Sequence, residues 1–259
     1  MADFIWYELQ TTDADAASRF YGEAVGWTVE EGGAGDFDYR HIRRDDGGSV
    51  GGMLALKPEM VGHGARAMWV PYLHAADVTA EIAAIEAAGG KLLMPPTTLP
   101  VGTFAMVLDP QGVPIYVMAP VAPPGREDQA SDVFDEKAVQ RVRWNELASP
   151  DLAASKAFYS KHFGFGFERS MAMGEHGDYC FIERDGRTLG AMLQRRDDRQ
   201  PTSWLLYFGV PSIEGAMRKL QKAGGTLLTG PDQVPGGDWI VVATDPQGAR
   251  FGLVGPKST

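Results

Sequence analysis

Two glutamates occupy the same place in a repeated pattern. Glu8 follows Trp6 by two residues in Trp6-Tyr7-Glu8-Leu9, and Glu146 follows Trp144 by two in Trp144-Asn145-Glu146-Leu147. A carboxylate beside an indole can act as a general base, or grip a ligand while the ring serves as a stacking wall. It can equally be an anchor that accepts hydrogen bonds from a facing tyrosine and from the backbone. Both readings stay open on sequence. Side chains alternate along a strand, so an inward Trp6 brings Glu8 and Gln10 with it, and an inward Trp144 brings Glu146 and Ala148. Val70, Tyr72 and His74 are grouped in the same way, as are Leu205, Tyr207 and Gly209. A charge on an apolar face is costly unless hydrogen-bonded or paired, so its recurrence calls for a role. Met53, Met118, Met173 and Met192 are expected near the same space, with core filling as their ordinary use.

The elements that must position these groups come in duplicate. Trp6 precedes Asp13 by seven residues, and Phe20-Tyr21 follows; Trp144 precedes Asp151 by seven, and Phe158-Tyr159 follows. Asp38-Tyr39 answers Asp178-Tyr179, and Gly51-Gly52-Met53 answers Gly190-Ala191-Met192. Gly89-Gly90 answers Gly224-Gly225, and Asp109-Pro110-Gln111-Gly112 answers Asp245-Pro246-Gln247-Gly248. An internal repeat of this size implies two like domains. We read residues 1–118 as the first, 141–259 as the second, and 119–140 as an exposed linker rich in Pro123-Pro124-Gly125 and Arg126-Glu127-Asp128.

Each copy divides again into two modules of strand, helix and three strands. Phe4 to Thr11 reads as a strand, and Asp13 starts a helix that Gly26 stops. In the second copy Ser149 reads as the helix cap, with Pro150 in the first helical position. Strands are expected at Tyr39 to Arg43, Ser49 to Leu56, Ala67 to Leu73, Phe104 to Leu108 and Pro114 to Met118, with a helix from Asp77 to Ala88.

Composition narrows the function classes. The 259 residues carry 24 Lys+Arg against 34 Asp+Glu, a net charge of −10 with no basic run beyond Arg195-Arg196. Nucleic acid and anionic membranes are therefore not expected partners. The single cysteine, Cys180, forms no intrachain disulfide and no Cys-based zinc site. No apolar run approaches membrane length, and Met1-Ala2-Asp3 does not open a secretion leader. A soluble cytoplasmic protein is expected, either a monomer with pseudo-dimer architecture or a homodimer. There is no Gly-x-Gly-x-x-Gly, no phosphate-cradling loop and no nucleophile–His–acid spacing. Among the histidines, His63, His162 and His176 are expected in solvent, and His41 at a packing position because Phe181 matches it. Arg44 and Arg184 read as exposed hairpin-end charges.

The ordered set of motifs, found twice, resembles the vicinal oxygen chelate superfamily of glyoxalase I, bleomycin-resistance proteins and extradiol dioxygenases. The resemblance covers residues 3–120 and 141–257. It implies an α+β fold of two tandem glyoxalase-like domains, each built from two βαβββ modules that form an open barrel. It also implies a divalent metal, held by His, Gln or Glu from the first and last strand of each module. Counting from the motifs puts those slots at Trp6, Val70 and Tyr116 in one copy, and at Trp144, Leu205 and Gly252 in the other. The remaining slot falls within Ser49–Leu56 or within Thr188–Gln194, where only Gln194 could ligate. Such an ion needs carboxylate or imidazole ligands, so no metal cofactor is expected.

The expected function is metal-independent binding of a small, partly apolar organic molecule in a concave cavity. The candidate lining is Trp6, Glu8, Tyr72, His74, Tyr116, Trp144, Glu146, Tyr207 and Met192. The alternative is an enzyme of the lyase, isomerase or dioxygenase type, using Glu8 or Glu146 for acid–base chemistry or using a metal. The copies differ, with Gln10, His74 and Tyr116 in the first standing where the second has Ala148, Gly209 and Gly252. On that ground the second copy is expected to be the roomier one and to supply most ligand contacts.

Overall fold

A computed structural model describes residues 4–32, 36–122, 125, 130–197 and 200–258. The Met1-Ala2-Asp3 start, and Pro123-Pro124 and Arg126-Glu127-Asp128 of the linker, lie outside the described residues. The first copy runs β1 (Phe4–Thr11), α1 (Ala14–Val25), β2 (Thr28–Val29), β3 (Tyr39–Arg43), β4 (Ser49–Ala55), a short α2 (Pro58–Gly62), β5 (Met68–His74), α3 (Val78–Ala87), β6 (Lys91–Leu99), β7 (Gly102–Leu108) and β8 (Pro114–Pro120). The second runs β9 (Val142–Ser149), α4 (Leu152–Phe163), β10 (Ser170–Ala172), β11 (Asp178–Arg184), β12 (Arg187–Gln194), β13 (Trp204–Gly209), α5 (Ile213–Lys222), β14 (Thr226–Gln233), β15 (Trp239–Thr244) and β16 (Arg250–Gly255). This is the expected α+β architecture of four βαβββ modules. The strands form two eight-stranded sheets, ordered β2-β3-β4-β1-β5-β8-β7-β6 and β10-β11-β12-β9-β13-β16-β15-β14. No described helix is long and apolar enough to cross a membrane.

Local chemistry sets the helix ends. Asp13 caps α1 through its side chain to the Ala16 N–H, and Gly26 closes it at φ 89°, a left-handed conformation that favours glycine. Asp77 caps α3 and Ser212 caps α5 in the same way. The expected cap of α4 moves by two residues. Asp151, not Ser149, accepts from the Ala154 N–H. Ser149 instead accepts from the Asp151 N–H and bonds Ser155 at 2.6 Å. The carboxylate wins because it is the stronger acceptor for the positive end of the helix.

The chain forms two compact units, and each draws on both sequence copies. The flanking unit comprises Trp6–Trp69, Asp132–Trp144 and Leu205–Thr259; the central unit comprises Met1–Ile5, Val70–Ser131 and Asn145–Trp204. Within the flanking unit, Tyr21 of α1 meets the turn of the opposite copy. Its hydroxyl donates to Asp245 Oδ2 at 3.2 Å and accepts from Trp69 Nε1 at 2.8 Å. Around this bond pack Trp27, Phe208 and Phe251, with Tyr21 and Phe251 centroids 5.3 Å apart. The central unit repeats the device. Tyr159 of α4 donates to Asp109 Oδ2 at 3.1 Å and accepts from Trp204 Nε1 at 3.3 Å. Asp109 and Asp245 are buried, and each also accepts backbone N–H bonds from its own turn. The Phe-Tyr and Asp-Pro-Gln-Gly motifs are thus two halves of one bond, made once in each direction between the copies.

Most of residues 131–140 are exposed, but Val133, Phe134 and Gln140 pin the second half of the linker to the fold. Val133 and Phe134 are buried. Trp27 Nε1 donates to the Gln140 carbonyl at 2.9 Å, and Gln140 Nε2 donates to the Gly26 carbonyl at 2.7 Å. Arg44 is likewise no exposed hairpin charge. Its side chain is 2% exposed and pairs with Asp132 at 2.5 Å and Asp46 at 3.1 Å. The turn at Asp45-Asp46-Gly47 faces this linker segment, and that tertiary partner buries what local sequence placed in solvent. His162 is buried too, bonded through Nδ1 to Glu81 at 2.7 Å. His63 and His176 are exposed as expected.

Candidate functional site

The repeated glutamates lie on the sheet faces turned away from the module helices. Leu9 pairs with Met53, and Met53 Sδ accepts from Ser18 of α1 at 3.7 Å, so that side of β1 is the helix side. Alternation then puts Trp6, Glu8 and Gln10 on the other side. Register sets their neighbours. Glu8, Gly52 and His41 form one row across β1, β4 and β3, and Gln10, Leu54 and Tyr39 form the next.

Tyr39 does not stay over its own row. Its ring reaches back over Gly52, where a Cβ would come within 2.0 Å of the phenol oxygen. That oxygen accepts the Trp6 Nε1–H at 2.8 Å. His41 stands edge-on to both rings, with centroids 5.9 Å from Trp6 and 5.8 Å from Tyr39. Glu8 is 2% exposed, and Gln10 Nε2 approaches its Oε1 at 3.4 Å. Burial pushes the Tyr39 phenol well above its usual range, and the nearby Glu8 charge pushes it further. Burial, with help from Arg43, pulls the His41 imidazole below its usual value. His41 Nδ1 is buried and has no hydrogen-bond partner among the described residues. The cluster thus holds a neutral phenol and a neutral imidazole beside a carboxylate.

The second copy arranges the same residues differently. Glu146, Ala191 and Phe181 form the corresponding row. Tyr179, the partner of Tyr39 in the repeat, donates its hydroxyl directly to Glu146 Oε2 at 2.7 Å. Phe181 takes the place of His41 and carries Arg169 5.1 Å from its ring centroid. Here the glutamate has an anchoring bond from a tyrosine on β11. Tyr39 and Tyr179 were the partners that sequence reasoning missed. Their place in the repeat was visible, but the reach of a side chain across two strands is not a sequence property.

Other candidates fall elsewhere. Tyr72 and Tyr116 pair in register on β5 and β8 and stack at 4.1 Å, with Phe104 about them at 6.0 and 6.2 Å. His74 occupies the next row, opposite Met118. Trp144 packs on Leu205, Tyr207, Val242 and Val254. Met192 pairs with Leu147 on the helix side of the second sheet, opposite Glu146, so it does not share the glutamate face. Leu147 belongs to that side because Ser149, two residues on, bonds Ser155 of α4. The roominess expected of the second copy is also absent. A Cβ on Gly252 would lie 2.3 Å from the Tyr207 ring, and one on Gly209 would lie 2.4 Å from the Ala138 carbonyl. Glycine at these positions marks close approach, not open space.

The slots that the fold family uses for a metal carry unsuitable groups. Val70 and Leu205 are hydrocarbon, Trp6 and Trp144 are indoles, Gly252 has no side chain, and Tyr116 is a phenol stacked on Tyr72. Gln194 is engaged at the start of α4, accepting from Leu152 N–H and donating to the Pro150 carbonyl. Among the described residues no three His, Cys, Asp or Glu side chains come together. The residues do not fit the group.

The family model for the Glyoxalase/Bleomycin resistance protein/Dioxygenase superfamily matches residues 4–117 and 141–253, and the chain belongs to that superfamily. Among curated relatives, CFP32 of Mycobacterium bovis, named as a glyoxylase, is 27% identical over 97% of this chain and 94% of its own. The anthracycline biosynthesis protein DauV of Streptomyces sp. strain C5 is 28% identical over 42% of this chain and 45% of its own. The Mn(II)-bound glyoxalase from Novosphingobium aromaticivorans superposes with a TM-score of 0.64 at 17% identity, over 98% of this chain and 83% of that one. The 2,3-dioxygenase LapB from Pseudomonas sp. KL28 gives 0.61 at 14% identity, over 97% and 91%. At such identities the likeness to solved structures is one of fold.

Proposed function

We propose that this chain binds a small, partly apolar organic molecule without a divalent metal, in the cytoplasm, as a monomer or a homodimer. The observation that carries the reading is the Trp6–Glu8–Tyr39–His41 cluster, which concentrates hydrogen-bonding groups and aromatic surface on one sheet face. The metal slots without suitable donors support the metal-independent part. Trp6 and Glu8 are the first contacts in this reading, with Tyr72, His74, Tyr116, Trp144, Glu146 and Tyr207 as further candidates. A second reading is an acid–base enzyme. It is favoured by one observation, a neutral phenol and a buried carboxylate held in the same cluster, the pairing of donor and base that proton transfer at a carbonyl requires.

Two measurements test the proposal. Elemental analysis of protein prepared without chelators is expected to find no stoichiometric Ni, Zn, Fe or Mn. One tightly held ion per copy, whose removal abolishes activity, would sink the metal-independent reading. Glu8→Gln keeps the size of the side chain but removes the charge. It is expected to weaken binding of a neutral aromatic carbonyl compound such as phenacyl alcohol at least tenfold, with little change in melting temperature. A large loss of stability with unchanged affinity would make Glu8 an anchor only.

A further inference from the structure

Among the positions at which the two copies differ is the small residue beneath the repeated tyrosine, Gly52 in one and Ala191 in the other. Tyr39 lies over Gly52, and a methyl group there would stand 2.0 Å from its hydroxyl oxygen and 2.3 Å from Cζ. The second copy has that methyl group, in Ala191, in the same register opposite Glu146 that Gly52 holds opposite Glu8. There the tyrosine turns to the carboxylate, and Tyr179 donates to Glu146 at 2.7 Å. In the first copy the Tyr39 oxygen instead receives the Trp6 N–H. That bond uses an oxygen lone pair and leaves the phenol proton to be donated. No acceptor for that proton lies within hydrogen-bonding distance among the described residues, and His41 Nδ1 beside it is also without a partner. Two unmet hydrogen-bonding groups next to a buried carboxylate are expensive to leave so.

We infer that Gly52 is a positioning residue that makes Tyr39 the hydrogen-bond donor to a ligand oxygen on the first copy's face, and that Ala191 withdraws this function from the second. The proposal rests on the binding reading above and deepens it to a ligand class. With its hydroxyl over Gly52, Tyr39 offers a donor in the same row in which Glu8 offers an acceptor, on neighbouring strands about 5 Å apart at sheet spacing. Their complement is a neutral molecule with a carbonyl-type oxygen next to a hydroxyl, on an apolar body that meets the Trp6 ring. An anionic ligand is disfavoured by the Glu8 charge.

The experiment uses the full chain and three neutral probes: phenacyl alcohol, which has both groups, acetophenone, which lacks the hydroxyl, and 1-phenylethane-1,2-diol, which lacks the carbonyl. Affinity is read by calorimetry. The Tyr39–Trp6 bond is read from the indole ¹⁵N–¹H resonance of Trp6, assigned by its loss in Trp6→Phe. Gly52→Ala is expected to move that resonance and to weaken phenacyl alcohol at least tenfold. Tyr39→Phe, which keeps the ring and the packing, is expected to do the same, so the test does not depend on Gly52→Ala folding. Both variants should weaken acetophenone and leave the diol nearly unchanged. Binding that survives Tyr39→Phe but is lost in Glu8→Gln would overturn this inference and leave the binding reading standing. Binding unaffected by either would overturn both. A wild-type protein that binds none of the probes at millimolar concentration would overturn the ligand class.

Discussion

Asp245→Ala should lower the stability of the protein by about 3 kcal/mol, since it strands several buried donors at once. The carboxylate accepts from Ala249 N–H at 2.8 Å, from Gln247 N–H at 3.0 Å and from the Tyr21 hydroxyl at 3.2 Å. Tyr21→Phe should cost less, about 1–2 kcal/mol, because it leaves the backbone bonds to Asp245 in place and removes only the hydroxyl shared by Asp245 Oδ2 and the Trp69 indole N–H. Asp109→Ala and Tyr159→Phe should follow the same order in the central unit. Asp245→Asn separates shape from charge, because its Oδ1 keeps the backbone bonds. Burial holds the Asp245 carboxyl above its usual 3.8, and the backbone and Tyr21 bonds pull it only part of the way back. A carboxyl raised on folding contributes stability that is complete below the unfolded value and is lost as pH rises through the folded one. The wild-type protein should therefore lose that contribution as pH rises above 3.8, and Asp245→Asn should not. Urea melts of the variants across that range measure both effects. If Asp245→Ala melts with the wild type, the bond between helix and turn is not what joins the copies.

Gly252→Ala should destabilise by about 2 kcal/mol through overpacking, despite adding a single methyl group to a strand. The side of the Tyr207 ring, not its flexible tip, fills the space above Gly252, with Cδ1 2.3 Å from where the methyl carbon would stand. The ring cannot retreat freely, since it packs with Leu205, Val242 and Val254. Trimming it in a Tyr207→Leu background should recover part of the loss, so the two changes should be non-additive. Melts of the four proteins in this cycle give the coupling. Full additivity, or a harmless Gly252→Ala, would restore the open space that sequence comparison assigned to the second copy.

Much of the architecture follows from short-range rules that a sequence displays. Asp13 and Asp77 are caps because their carboxylates reach the exposed N–H groups of the next turn, and Gly26 ends a helix because its backbone can adopt φ 89°. Alternation placed Trp6 and Glu8 on one face without knowledge of what lay across from them. The missing metal donors were also legible, because a slot counted from Asp13 or Asp109 either holds a ligating atom or does not. The repeat itself announced the superfamily.

Tertiary structure alone decided how the pieces meet. The repeated Tyr21 and Asp245 were both visible in the sequence, but a hydrogen bond across more than two hundred residues leaves no local trace. Gly252 read as space because a missing side chain looks the same whether solvent or a Tyr207 ring fills the gap. Met192 read as cavity lining, and register turned it to the helix side beside Leu147. The same limit hid Tyr39. Its type and its repetition are sequence facts, whereas its proton is directed by whether Gly52 or an alanine lies beneath its ring. Identity and local order are set by covalent neighbours and backbone chemistry. Which donor meets which acceptor is set by packing between distant segments, and only the folded chain brings those segments within hydrogen-bonding distance.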